Sequence, residues 1–180
     1  LLCFYLILAF PTQVMAGSFS AENAYEHIKY LVQTVGPRVA GSDGEEKTIQ
    51  YLYYILQKHG WKVKEQPFTK IVLNPNPFDF EDYRIKIINS KNIIAELPGE
   101  KTDSIIIGAH YDTAGHDVPG AVDNASGVGT VLELARVLAQ ETRKFSYQIV
   151  FFGAEEYGLV GSQYYASHTD LSAVNWMLNI

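Results

Sequence analysis

The sequence predicts an α/β fold: a three-layer sandwich with a mostly parallel, mixed central sheet, truncated on its C-terminal side. Three observations predict it. From residue 104 onward, apolar runs alternate with amphipathic helical stretches, the pattern of strand–helix–strand units on a parallel sheet. Two of those runs, Ile105-Ile106-Ile107 and Ile149-Val150-Phe151-Phe152, are uninterrupted, as in strands buried on both faces. Each leads directly into ligand-type side chains, His110 and Asp112 after the first and Glu155-Glu156 after the second. In open α/β sheets the working groups gather at the carboxyl ends of strands, where these residues fall.

The 180 residues, 47% of them hydrophobic, suffice for one domain with a substantial core. A formal charge of -6 and the lack of a basic stripe argue against a nucleic-acid partner. Cys3 is the only cysteine, so neither a disulfide nor a cysteine-ligated metal can hold the fold.

Residues 1–10 are almost wholly apolar, and Val14-Met15-Ala16 supplies the small-residue pattern of a signal peptidase site. Residues 1–16 are expected to be a partial signal peptide, its start missing, which makes the protein secreted or periplasmic. A membrane anchor is the alternative, although spanning takes about 20 apolar residues. The chain does not begin with Met and stops inside the apolar run 174–180, so it reads as an internal piece of a longer frame.

Residues 20–35 have helical spacing in Ala24, Ile28, Leu31 and Val35, with Ser20 as N-cap and Gly36-Pro37 as the stop. Residues 38–42 form a loop. Asp43 caps a second helix running to about His59, with Ile49, Leu52, Ile55 and Leu56 inward and Gly60 closing it. Residues 61–72 read as extended. Alternate prolines make 74–80 an irregular surface loop. Residues 83–88 and 92–97 read as two paired strands around a turn at Asn89-Ser90-Lys91. A strand at 104–109, a loop at 113–120, a helix at 124–140, a strand at 145–152, a short helix at 158–168 and a third buried strand at 174–180 complete the order. No repeat or low-complexity tract is present.

His and carboxylates are suitable ligands for zinc or a similar divalent ion. A lone His after a strand is commonly a satisfied structural residue. Asp112 beside His110 favours the ligand reading, because a carboxylate can accept the other ring proton and fix the tautomer. Asp123 can serve as a ligand or as the cap of the helix after it. Adjacent Glu155 and Glu156 repel one another, which a nearby cation relieves. His116 reads as a loop residue; His27, His59 and His168 read as surface residues. Tyr157 lines the cleft or packs. Ser126 precedes Gly127, but the nucleophile-elbow pattern Gly-x-Ser-x-Gly is absent.

Three stretches carry a resemblance: Gly108-Ala109-His110-Tyr111-Asp112-Thr113, Gly120-Ala121-Val122-Asp123-Asn124-Ala125-Ser126-Gly127, and Gly153-Ala154-Glu155-Glu156-Tyr157-Gly158-Leu159-Val160-Gly161-Ser162. In this order they resemble the M28 family of zinc metallopeptidases, and Gly36-Pro37-Arg38-Val39-Ala40-Gly41-Ser42 is similar to that family's N-terminal loop. The resemblance implies that residues 17–180 are the N-terminal part of an M28-type peptidase domain. It implies two zinc ions per complete site, with His110 on one, Glu156 on the other and Asp123 bridging. Glu155 would be the general base and Asp112 the partner of His110, and a cis peptide is expected between Asp123 and Asn124. Two further ligands, an aspartate directly after Ile180 and a distant histidine, would lie outside this sequence, so the chain alone is expected to be inactive. The implied activity is exopeptidase cleavage of a peptide substrate, most simply as an aminopeptidase. A carboxypeptidase, a glutaminyl-cyclase-like relative and a non-catalytic ectodomain are the alternatives.

Overall fold

A computed structural model describes residues 17–73 and 85–180. The signal segment 1–16, the proline loop 74–80 and the strand start at Tyr83 lie outside the described residues. Among those described, no helix is long and apolar enough to cross a membrane.

Helix α1 (Ala21–Lys29) starts where Ser20 Oγ accepts the Asn23 N–H at 3.2 Å, and it continues as a wider π turn, Tyr30–Val35. Gly36, at φ 82°, ends it. Helix α2 (Asp43–Lys58) is capped one residue earlier than the sequence reading placed it. Ser42 is the N-cap, and Asp43 is the first helical residue. The reason is a modified capping box: Ser42 Oγ accepts the Glu45 N–H at 3.3 Å, while Glu45 Oε2 reaches back to the Gly41 N–H at 2.6 Å.

Among the described residues, five strands form one sheet in the order β1-β2-β4-β3-β5. They are β1 (Lys62–Leu73), β2 (Ile85–Leu97), β3 (Ser104–His110), β4 (Ser146–Phe152) and β5 (Val174–Asn179). The β3–β4 and β3–β5 ladders are parallel, whereas β1–β2 and β2–β4 are antiparallel. Only β2 therefore runs against the other four, which makes the sheet mixed and mostly parallel in direction.

Alternation along the strands builds two cores. Ile93, Ala95, Ile107, Ala109, Ile149 and Phe151 face α1, α2 and helix α3 (Ser126–Ala139). Ile94, Ile106, Val150 and Phe152 face Tyr165 of helix α4 (Val160–His168) on the opposite side. Helices cover both faces, as a three-layer sandwich requires.

One strand expectation needs correction. Residues 85–97 are one continuous strand, paired with β1 from Ile85 to Glu96. Asn89-Ser90-Lys91 is not a turn, because its polar neighbourhood has partners inside the fold: Ser90 is hydrogen-bonded to Glu45, and Asn92 Nδ2 donates to Gly161 O at 2.8 Å. The run 174–180 forms the expected strand, β5. Among the described residues β5 pairs with β3 at the sheet edge, where Trp176 is 74% exposed. Helix α4 packs chiefly over β1 and β2, while its Tyr165 and Val174 of β5 belong to the same apolar cluster.

Candidate metal centre

Strands β3 and β4 run side by side with His110 opposite Phe152, so their carboxyl ends deliver both motifs to one rim. Beyond Phe152 the chain turns sharply through Ala154, a non-glycine residue at φ 53°. That left-handed conformation costs on the order of 1–2 kcal/mol. It presents the amides of the next two residues to a fully buried carboxylate: Asp112 Oδ1 accepts the Glu155 N–H at 3.0 Å and Asp112 Oδ2 accepts the Glu156 N–H at 3.2 Å. Asp112 thus clamps the β4 turn to the end of β3.

One candidate ligand atom from each of His110, Glu155 and Glu156 lies within 4.8 Å of the others. Asp123 stands outside that trio but meets it through the imidazole, with Oδ1 2.9 Å from His110 Nε2. Its side chain is 71% exposed, on the solvent side of the cluster. It does not cap α3: Asn124 Oδ1 instead accepts an amide of the first turn, Gly127 N–H, at 2.9 Å. The Asp123–Asn124 peptide is cis, as the resemblance implied. His110 Nδ1 lies 3.6 Å from Asp112 Oδ1 and 3.9 Å from Glu155 Oε2, and it is buried without a hydrogen-bond partner.

The electrostatics of the cluster are those of acidic groups held close together. Burial pushes the His110 imidazole down, but the carboxylates of Asp112, Glu155 and Asp123 outweigh it and hold the group above its usual value. Burial, followed by the charges of Asp123 and Asp112, pushes Glu156 up. Four carboxylates around one imidazole relieve their repulsion by binding a cation. The donor set of one imidazole nitrogen and carboxylate oxygens suits zinc or a similar divalent ion, so the residues fit the metal that the resemblance implied.

The other histidines stand apart. His116 is exposed in the loop after β3, and His168 is exposed on α4. His27 is half-buried rather than on the surface, with Nδ1 2.7 Å from the Tyr51 hydroxyl. Tyr157 packs beside Ala154 and Val160, with the Lys86 ammonium 4.5 Å from its ring centre.

Sequence reasoning missed the buried polar frame beneath the site. Arg38 is fully buried, and Glu45 is nearly so. The Tyr111 hydroxyl lies 3.0 Å from Glu45 Oε1 and 2.8 Å from Lys91 O, tying the residue between His110 and Asp112 to α2 and β2. Burial pushes the Glu45 carboxyl up, against hydrogen bonds from Ser90, Gly41 and Tyr111. The signal for Glu45 was present: Ser42-Asp43-Gly44-Glu45 has capping-box spacing.

Residues 92–180 match Peptidase family M28. The protein YfbL of Escherichia coli is 35% identical over 145 residues, which cover 76% of this chain and 40% of YfbL. Among solved structures, a glutaminyl cyclase from Porphyromonas gingivalis superposes with a TM-score of 0.75 at 30% identity, covering 89% of this chain and 58% of that one. A leucine aminopeptidase precursor from Bacteroides thetaiotaomicron superposes with a TM-score of 0.74 at 27% identity, covering 91% and 62%. The chain thus spans less than two thirds of the length of these relatives. The matched region carries His110, Asp112, Asp123, Glu155 and Glu156 at one rim of an α/β sheet, and residues 92–180 belong to Peptidase family M28.

Proposed function

We propose that the protein is an exported exopeptidase with a two-zinc centre, acting as an aminopeptidase, to which this chain contributes His110, Asp123 and Glu156 as ligands and Glu155 as general base. The observation that carries this reading is the convergence of the imidazole with Glu155 and Glu156, within 4.8 Å, at the carboxyl ends of two adjacent parallel strands. When bound, divalent ions in such a centre supply Lewis-acid polarisation of the scissile carbonyl and bring the pKa of water down towards 7.

The remaining work belongs to the chain. Glu155, half-buried and beside a proposed ligand, takes the proton from the attacking water and passes it to the departing amine. Asp112 keeps Glu155 and Glu156 in place through their amides. No covalent intermediate is required. Export rests on the signal-like residues 1–16.

The test is Glu155→Gln in the full-length protein. Peptide hydrolysis is expected to fall by about 10²- to 10⁴-fold, while zinc content by metal analysis stays at the wild-type value. Retained turnover removes Glu155 as the base, and a wild-type protein without bound metal removes the metalloenzyme reading.

A second reading is favoured by the glutaminyl cyclase neighbour at 30% identity. A peptide with N-terminal glutamine separates the two: an aminopeptidase releases free glutamine, whereas a cyclase releases ammonia and leaves the chain length unchanged. N-blocked peptides test the carboxypeptidase alternative, because an aminopeptidase leaves them intact.

A further inference from the structure

The buried guanidinium of Arg38 serves no ion pair among the described residues; it is spent on carbonyl oxygens. Its Nε–H donates to Tyr111 O at 2.9 Å, Nη1 donates to Gly36 O at 2.9 Å and Pro119 O at 2.8 Å, and Nη2 donates to Gly120 O at 2.9 Å. The backbone joins in, with the Arg38 N–H donating to Thr113 Oγ1 at 2.9 Å. One planar fork therefore ties three segments: the Gly36-Pro37 turn, the residue just after β3 at Tyr111, and the loop entry to the Asp123 turn at Pro119-Gly120.

Two of these contacts bear directly on residues of the site. Tyr111 lies between His110 and Asp112 in the chain. Gly120 O also accepts the Ala125 N–H at 3.0 Å, closing the turn that contains Asp123. Gly120 is at φ 58°, and a Cβ there would stand 2.8 Å from Arg38 Nη2, so chain and guanidinium are fitted to one another. A buried charge satisfied only by neutral carbonyls is costly, and the fully buried Asp112 carboxylate nearby offsets part of that cost.

We propose that Arg38 is a positioning residue, whose guanidinium fixes the Asp123 turn against the end of β3 and so sets the His110–Asp123 geometry of the metal centre. The fork matters as well as the charge. Lysine has a single ammonium and cannot span the Tyr111, Pro119 and Gly120 carbonyls in one plane. The inference rests on the metallopeptidase reading for its consequence, but its structural half stands independently.

The test compares Arg38→Lys with Trp61→Phe in the full-length protein. Trp61→Phe removes a buried hydrogen bond of 3.0 Å to Ala135 O, remote from the centre, and serves as the stability control. Two readouts are taken: zinc affinity by chelator competition, and amide hydrogen exchange of Ala125, whose N–H bonds to Gly120 O. Arg38→Lys is expected to weaken zinc binding by about 10- to 100-fold, the effect seen on losing groups that orient ligands, and to speed Ala125 exchange relative to neighbouring α3 amides. Trp61→Phe is expected to change neither selectively. Zinc affinity and Ala125 exchange that move no more in Arg38→Lys than in Trp61→Phe overturn the proposal. If wild type binds no zinc, the metallopeptidase reading falls, and the exchange comparison alone decides Arg38.

Discussion

The parallel pair β3–β4 and the antiparallel pair β1–β2 belong to one sheet and are similarly rich in aliphatic residues, yet they are put to different uses. β3 and β4 have seven residues each and are covered by helices on both faces. Their ends hold His110 and the Gly153-Ala154 turn. β1 and β2 have twelve and thirteen residues and extend as an arm past the covering helices. At the far end of that arm the cross-strand pairs Ile71–Ile87 and Leu73–Ile85 are 61–69% exposed. Apolar sequence alone therefore does not fix burial. What separates the pairs is the neighbouring layer: helices on both faces give a rigid frame, and rigidity lets a sheet rim hold ligands to ångström tolerance.

The largest effect that breaks or upholds this contrast is in the frame. Phe151 is fully buried in β4, paired with Ile93 of β2 and Ala109 of β3. Phe151→Ala is expected to cost about 3–5 kcal/mol in urea unfolding, through lost burial and a cavity the sheet cannot collapse into. A cost below about 1 kcal/mol would mean the frame is no better packed than the arm.

A smaller effect lies where frame meets arm. A Cβ on Gly153 would collide with Ser90 Oγ and stand 2.7 Å from Lys91 O and 2.9 Å from the Tyr111 hydroxyl. The turn bearing Glu155 and Glu156 is thus pressed against β2 at the point where Asn92 Oδ1 accepts the Gly153 N–H at 3.2 Å. Gly153→Ala is expected to cost about 1–3 kcal/mol by overpacking and to lower zinc content, because the turn must move away from β2 and carry the glutamates with it. Unchanged stability with full zinc content would show that β2 gives way instead of the turn.

The same contrast explains what the sequence disclosed. The frame was legible because its signals are local: unbroken apolar runs, each followed directly by His110 or by Glu155-Glu156. The helix stripes of α2 and α3 were legible for the same reason. The continuity of β2 was not. Asn89-Ser90-Lys91 has turn composition, and only Glu45, 45 residues away from Ser90, shows that the serine is buried and satisfied. Arg38 was hidden likewise, since its partners at Tyr111, Pro119 and Gly120 are carbonyls, which leave no mark in the sequence. Long-range polar partnerships and layer coverage are the two properties a one-dimensional pattern does not encode.

The smallest expected effect sharpens the contrast from the arm's side. Ile71 and Ile87 face one another across the β1–β2 ladder and are both 61% exposed. Replacing both with threonine keeps β-branching and hence strand propensity, so the change isolates burial. With little apolar surface removed from water at either position, unfolding free energy is expected to shift by no more than about 0.5 kcal/mol per site, and zinc content is expected to stay unchanged. Equilibrium urea unfolding at several protein concentrations is the measurement. A loss of 2 kcal/mol or more that grows with protein concentration would show these two aliphatic side chains covered by a second molecule in solution, and the arm would then be a packed surface like the frame rather than its exposed counterpart.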